Sequence, residues 1–167
     1  MSLSVRQVLA RAGVTTQKHI VSLLYFLTFA ALACNGRFMA IFFRDDLGLS
    51  SGDIGFVLAC GTFVGLFSTP TWSALCDYLG EKRTTLVVTV AGGAVAALLY
   101  LVPLVTAAVL VGGSAMLWTL FARCFYSFFF SPSIGILDSI AMHSMENPKR
   151  DFGQCRLWGS VAWGLIS

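Results

Sequence analysis

Four ionisable side chains stand inside long apolar runs of this 167-residue chain: Arg37, Arg123, Asp138 and Arg156. A charge at that depth is costly, so it faces a cavity, pairs with another group or serves a function. Asp138 lies eight residues before Glu146, and Arg156 lies eight residues after Pro148. With a turn between them, each is about 12 Å from that turn at 1.5 Å per helical residue. The two can therefore meet at equal depth, and a guanidinium can grip a carboxylate through two parallel hydrogen bonds. The alternatives are a purely structural pair, or Arg156 snorkelling to the nearer interface. Trp163 follows Arg156 by two helical turns and shares nearly the same face. It suits stacking on a ring-shaped ligand, or simply packing. Arg37 lies seven residues before Arg44, where snorkelling and function compete evenly. Arg123 is near the middle of its run with no snorkelling route, which predicts a bundle-facing or cavity-facing role.

The elements that carry these residues are legible from composition. Hydrophobic residues make up 57% of the chain and charged residues only 11%, against about 25% charged in soluble domains. Mean hydropathy is +0.81. Continuous apolar runs predict an all-α membrane fold with spans at about residues 20–43, 54–75, 84–102 and 106–143, and a fifth apolar helix from about 152 to 167. A membrane β-barrel needs alternating patterning in shorter segments. Residues 1–18 form a polar, basic arm, and residues 19–167 form a multi-span helical bundle. The connecting turns are a charged one at 77–83, an uncharged one at Pro103 and a polar one from Glu146 to Asp151, with Pro148 stopping the fourth span. Pro132 is expected to kink that span. Gly61 with Gly65, and Ser160 with Gly164, repeat the small-xxx-small spacing that lets helices approach closely.

Basic residues predict the orientation. With the N-terminus cytoplasmic, the inner segments hold Arg6, Arg11, Lys18, Lys82, Arg83, Lys149 and Arg150, and the outer segments hold Arg44 alone. Ala31, Leu32 and Ala33 resemble a signal cleavage site, but the apolar run continues through Phe43, so a retained first span is expected. The fifth apolar run ends unclosed at Ser167, which predicts a truncated helix and a partial chain.

Other classes are disfavoured. Cys34, Cys60, Cys76, Cys124 and Cys155 are scattered, lack ligand spacing and read as free thiols. No metal or cofactor is expected. There is no HExxH or GxSxG, and His19 and His143 fall near membrane edges, so no enzyme is expected. No basic cluster interleaved with aromatics points to nucleic acid.

Three segments carry a resemblance to the major facilitator superfamily. Ser73, Leu75, Asp77, Gly80, Lys82 and Arg83 resemble its GxLxDxxGxK turn, departing at Ser73, where Gly is usual, and at Tyr78 and Glu81, where basic residues are usual. Phe152, Gly153, Arg156, Gly159 and Trp163 match, without a gap, the start of the fifth helix in the oligosaccharide:H+ symporter branch, typified by lactose permease. Leu47, Gly48, Leu49 and Ser50, with Ile54 and Gly55, resemble the loop between that branch's first two spans.

The resemblance implies the front of a twelve-helix transporter built from inverted repeats: four full spans and a truncated fifth, lacking the C-terminal half. It implies that Arg156 is a sugar-binding arginine, Trp163 the residue that stacks on the ring, and Asp138 a one-methylene-shorter version of the partner glutamate. Asp77 implies a cytoplasmic lock, supported by Gly80, Lys82 and Arg83. Arg123 falls where many members carry a coupling arginine, though the glutamine and glycine that usually follow it are absent. The expected partners are the lipid bilayer, protons and a small polar organic solute such as a sugar or nucleoside. The alternative from a different class is a non-transporting receptor-like or scaffold relative, or an inactive fragment.

Overall fold

The computed structural model describes residues 5–102, 113–145 and 148–166, with side chains described for 17–36, 38–102, 115–145 and 150–166. Among the described residues, six helices follow one another: α1 (Val5–Asp45), α2 (Ser51–Leu79), α3 (Lys82–Leu99), α4 (Gly113–Phe130), α5 (Ser133–Ser144) and α6 (Pro148–Ile166). Four stretches among the described residues are long and apolar enough to cross a membrane: Gln17–Asp45, Ser51–Leu79, Lys82–Leu99 and Ala115–Ser144, the last running through α4 and α5. The Pro103 turn, the start of the fourth span near Thr106, and Glu146 lie outside the described residues, as do the side chains of Arg6, Arg11, Arg37 and Lys149.

Most helix ends lie beyond the apolar runs that announce them. The basic arm is helical from Val5 and continuous with the first span, through Ala31 and Ala33. Ser50 caps α2 with a reciprocal box: the Asp53 amide donates to Ser50 Oγ at 3.2 Å, and the Ser50 amide donates to Asp53 Oδ2 at 3.3 Å. The predicted charged turn at 77–83 shrinks to Gly80 and Glu81. Asp77 completes the last turn of α2, while Lys82 and Arg83 open α3. Gly80 sits at φ +68° and its amide closes onto the Cys76 carbonyl at 3.0 Å, a left-handed helix stop that glycine adopts without strain. The third span ends at Leu99 rather than 102. Pro148 does not stop the fourth span; it opens α6, where a missing amide hydrogen costs no helical bond. The fifth helix therefore starts at residue 148 rather than 152.

The chain divides into two compact units. The first joins residues 1–37 to 137–167, and the second is residues 38–136. In the second unit, α2 packs along α4 through the predicted small-residue stripe. A Cβ added at Gly61 would fall 2.7 Å from Arg123 Cγ and Nε, and one at Gly65 would fall 2.8 Å from Ser131 Oγ. The register is parallel: positions 61, 68 and 72 of α2 meet positions 123, 128 and 129 in turn. The helix α3 runs antiparallel to α4, with Thr89 near Ser133, Gly93 against Phe130, and the Leu99 carbonyl accepting from Trp118 Nε1 at 2.9 Å.

Pro132 breaks the fourth span, as its sequence position predicts, at Ser131–Pro132. A proline cannot donate to the carbonyl four residues earlier, here Phe128. The hydroxyl of Ser68, fully buried on α2, donates to that carbonyl. In a solvent that offers no hydrogen bonds, such a substitute donor is required. Spare hydroxyls are handled locally: Thr62, Thr69, Thr71, Thr85 and Thr119 each donate to the carbonyl four residues back.

Candidate solute-binding site

In the first unit, α1 and α6 lie parallel. Lys18 meets Asp151, Tyr25 meets Phe152, Phe29 meets Gly159 and Gly36 meets Trp163, each pair further along both helices. The close approach falls at Gly159, where an added Cβ would come within 2.9 Å of the Phe29 ring. Gly164, the sequence candidate for close packing, has nothing within 4 Å of an added Cβ.

Asp138, on α5, and Arg156, on α6, come together. Asp138 Oδ2 is 3.6 Å from Arg156 Nη1, with side-chain exposures of 28% and 51%. That separation is an ion-pair contact longer than a charge-assisted hydrogen bond of about 2.7–2.9 Å. The Arg156 guanidinium carbon also stands 5.8 Å from the centroid of the Phe152 ring, within cation–π range. The other carboxylate oxygen, Asp138 Oδ1, accepts from the hydroxyl of Tyr25 at 2.5 Å. Tyr25 has no exposed surface. Trp163 is further along α6, its indole edge 3.6 Å from where a Gly36 Cβ would sit on α1.

Three participants escape a search confined to charges deep inside apolar runs. Tyr25 is the only tyrosine of the first span; a buried phenol needs a hydrogen-bond partner, and that was the available signal. Lys18 and Asp151 read as an arm charge and a turn charge. The structure pairs them at 2.7 Å with Asp151 only 5% exposed, and Cys155 Sγ contacts the Lys18 carbonyl at 3.8 Å. Asp151 also lies in the first turn of α6, where the helix dipole favours an anion.

The remaining candidates are elsewhere. Arg123 belongs to the second unit, its stem against Gly61 and its guanidinium carbon 5.8 Å from the Tyr126 ring centroid. Asp77 and Arg83 are exposed on either side of the Gly80 cap, and Lys82 is half-buried. For Arg37 the structure describes only its helical position in α1.

A polytopic helical membrane protein with an acid–base pair held at a helix contact is the class these features define. The chain belongs to the MFS_1 like family, whose profile matches residues 19–167, and so to the major facilitator transporters. It is similar to the maltose permease of Geobacillus stearothermophilus, 24% identical over 92% of this chain and 36% of that protein. It is also similar to the uncharacterised transporter YwbF of Bacillus subtilis strain 168, 26% identical over 89% of this chain and 35% of the relative. The chain thus spans about a third of the length of these relatives. No solved structure is a significant match.

Proposed function

We propose that this chain forms the front of a secondary transporter that takes up a small polar organic solute, a sugar or a nucleoside, together with protons. The observation that carries the reading is the Asp138–Arg156 pair, incompletely closed at 3.6 Å and with its guanidinium half exposed. A carboxylate accepts hydrogen bonds from solute hydroxyls and a guanidinium donates to them. Trp163 supplies a ring face for a sugar or base, and Arg37 a second cation on α1. A relative named maltose permease makes a disaccharide the first solute to try.

In this reading residues 1–18 are a cytoplasmic arm and residues 19–167 are part of an N-terminal bundle. Transport then requires the second half of the same protein, because alternating access rocks two halves about a site at the membrane midplane. The turn of Asp77, Gly80, Lys82 and Arg83 serves as the cytoplasmic gate, and Arg123 transmits coupling. The test is accumulation of labelled maltose, with a panel of other sugars and nucleosides, in proteoliposomes of the complete transporter under an imposed inward proton gradient. Accumulation above the external concentration, with matching alkalinisation outside, is expected. Solute binding without any flux would contradict transport and favour a receptor.

A further inference from the structure

We propose that Tyr25 is a positioning residue that keeps the Asp138–Arg156 pair open for a hydroxylated ligand, an inference that rests on reading that pair as the solute site. Asp138 has two oxygens to offer. Oδ1 is taken by the Tyr25 hydroxyl at 2.5 Å, while Oδ2 stays 3.6 Å from Arg156 Nη1. An unhindered arginine–carboxylate pair closes into a two-point fork using both oxygens. By holding Oδ1 in its own hydrogen bond, Tyr25 disfavours that two-point closure.

The phenol is well placed to hold its ground. Its ring is fully buried, tilted against Phe29 at 6.3 Å and edge-on to Phe152 at 6.4 Å. The same Phe152 ring lies 5.8 Å from the Arg156 guanidinium carbon. One phenyl group therefore braces both the phenol and the guanidinium. What remains open is one carboxylate oxygen and a half-exposed set of guanidinium N–H groups. A ligand hydroxyl can donate to Asp138 Oδ2 while accepting from Arg156, and a neighbouring hydroxyl can accept from a second guanidinium N–H. The arrangement fits a vicinal diol, the unit shared by sugars and ribonucleosides. Without the phenolic hydroxyl, Oδ1 is released, the fork closes, and a solute must first open it.

Tyr25→Phe removes the hydroxyl and keeps the ring packed on Phe29 and Phe152. In the complete transporter, the KM for labelled maltose, or for whichever sugar or nucleoside of the panel is carried, is expected to rise on the order of tenfold, equal to about 1.4 kcal/mol of binding. Vmax is expected to stay within about twofold, since the barrier from the bound state is unchanged when binding is lost equally from the ground and transition states. Infrared spectra of the purified protein give a second readout. The carboxylate band assigned to Asp138 by its loss in Asp138→Asn is expected to shift in Tyr25→Phe. Arg156→Ala is assayed in parallel and should carry no solute. A wild-type KM in Tyr25→Phe beside an inactive Arg156→Ala overturns the role of Tyr25 alone, as does a fall in Vmax at constant KM or an unmoved carboxylate band. Full uptake by Arg156→Ala overturns the site reading itself.

Discussion

Both compact units bury arginine or its partners among helices, but they use the charge differently. In the second unit Arg123 lies with its stem pressed on Gly61 and its guanidinium near the Tyr126 ring, among aromatic side chains that run along α4. In the first unit Arg156 is half exposed, faces a carboxylate without closing on it, and shares that carboxylate with a phenol. A charge embedded by packing answers to shape, and a charge left partly open can answer to a ligand. The contrast separates the helix contact that holds the fold from the one proposed for binding.

The largest effect on stability is expected where shape decides. Gly61→Leu places atoms where Arg123 and Ser127 already stand, and should destabilise the protein by about 3 kcal/mol, the upper end of overpacking costs. Thermal unfolding in detergent or nanodiscs measures this, and an unchanged midpoint would show that α2 and α4 are not in this contact. Next comes Lys18→Ala, which strands the buried carboxylate of Asp151. Because Lys18 is about one-third exposed (34%), a loss of about 2 kcal/mol is expected, below the range for a fully buried pair. Lys18→Ala with Asp151→Asn should recover much of that loss; no recovery would mean that the charge pair is not its source.

Smaller effects sharpen the same division. Ser68→Ala removes the hydroxyl that serves the Phe128 carbonyl freed by Pro132, for an expected cost of about 1 kcal/mol. In a Pro132→Ala background the loss should vanish, because the backbone can then satisfy that carbonyl itself. Gly164→Ala meets open space and should change stability by less than about 0.5 kcal/mol. A large loss there would indicate a neighbour packed on that face of α6.

The spans were readable because apolar runs of membrane length have few alternative uses, and the Asp138–Arg156 pair because symmetric spacing about a turn fixes depth. The helix ends were less readable. Asp77 and Lys82 are charged, so the hydropathy pattern places them in a loop, while Gly80 alone stops the helix and lets polar residues complete its last and first turns. Pro132 announced a break, but the donor that makes it tolerable, Ser68, is 60 residues from the Phe128 carbonyl it serves and sits in an ordinary apolar run. Tyr25 was hidden for a similar reason. A neutral side chain raises no electrostatic alarm, and its meaning depends on a partner 113 positions along the chain. Spacing placed the close approach on α6 at Ser160 and Gly164, whereas Gly159 makes it, one residue away. Small residues line several faces of that helix, and only the position of Phe29 selects among them.

The most direct test is one variant read in two ways. Arg156→Ala in the complete transporter should abolish uptake of labelled solute while its thermal unfolding stays near wild type, because the guanidinium is half exposed and its pair is not closed. Uptake at the wild-type rate, or loss of uptake only because the protein unfolds, would contradict the assignment of this pair to the solute.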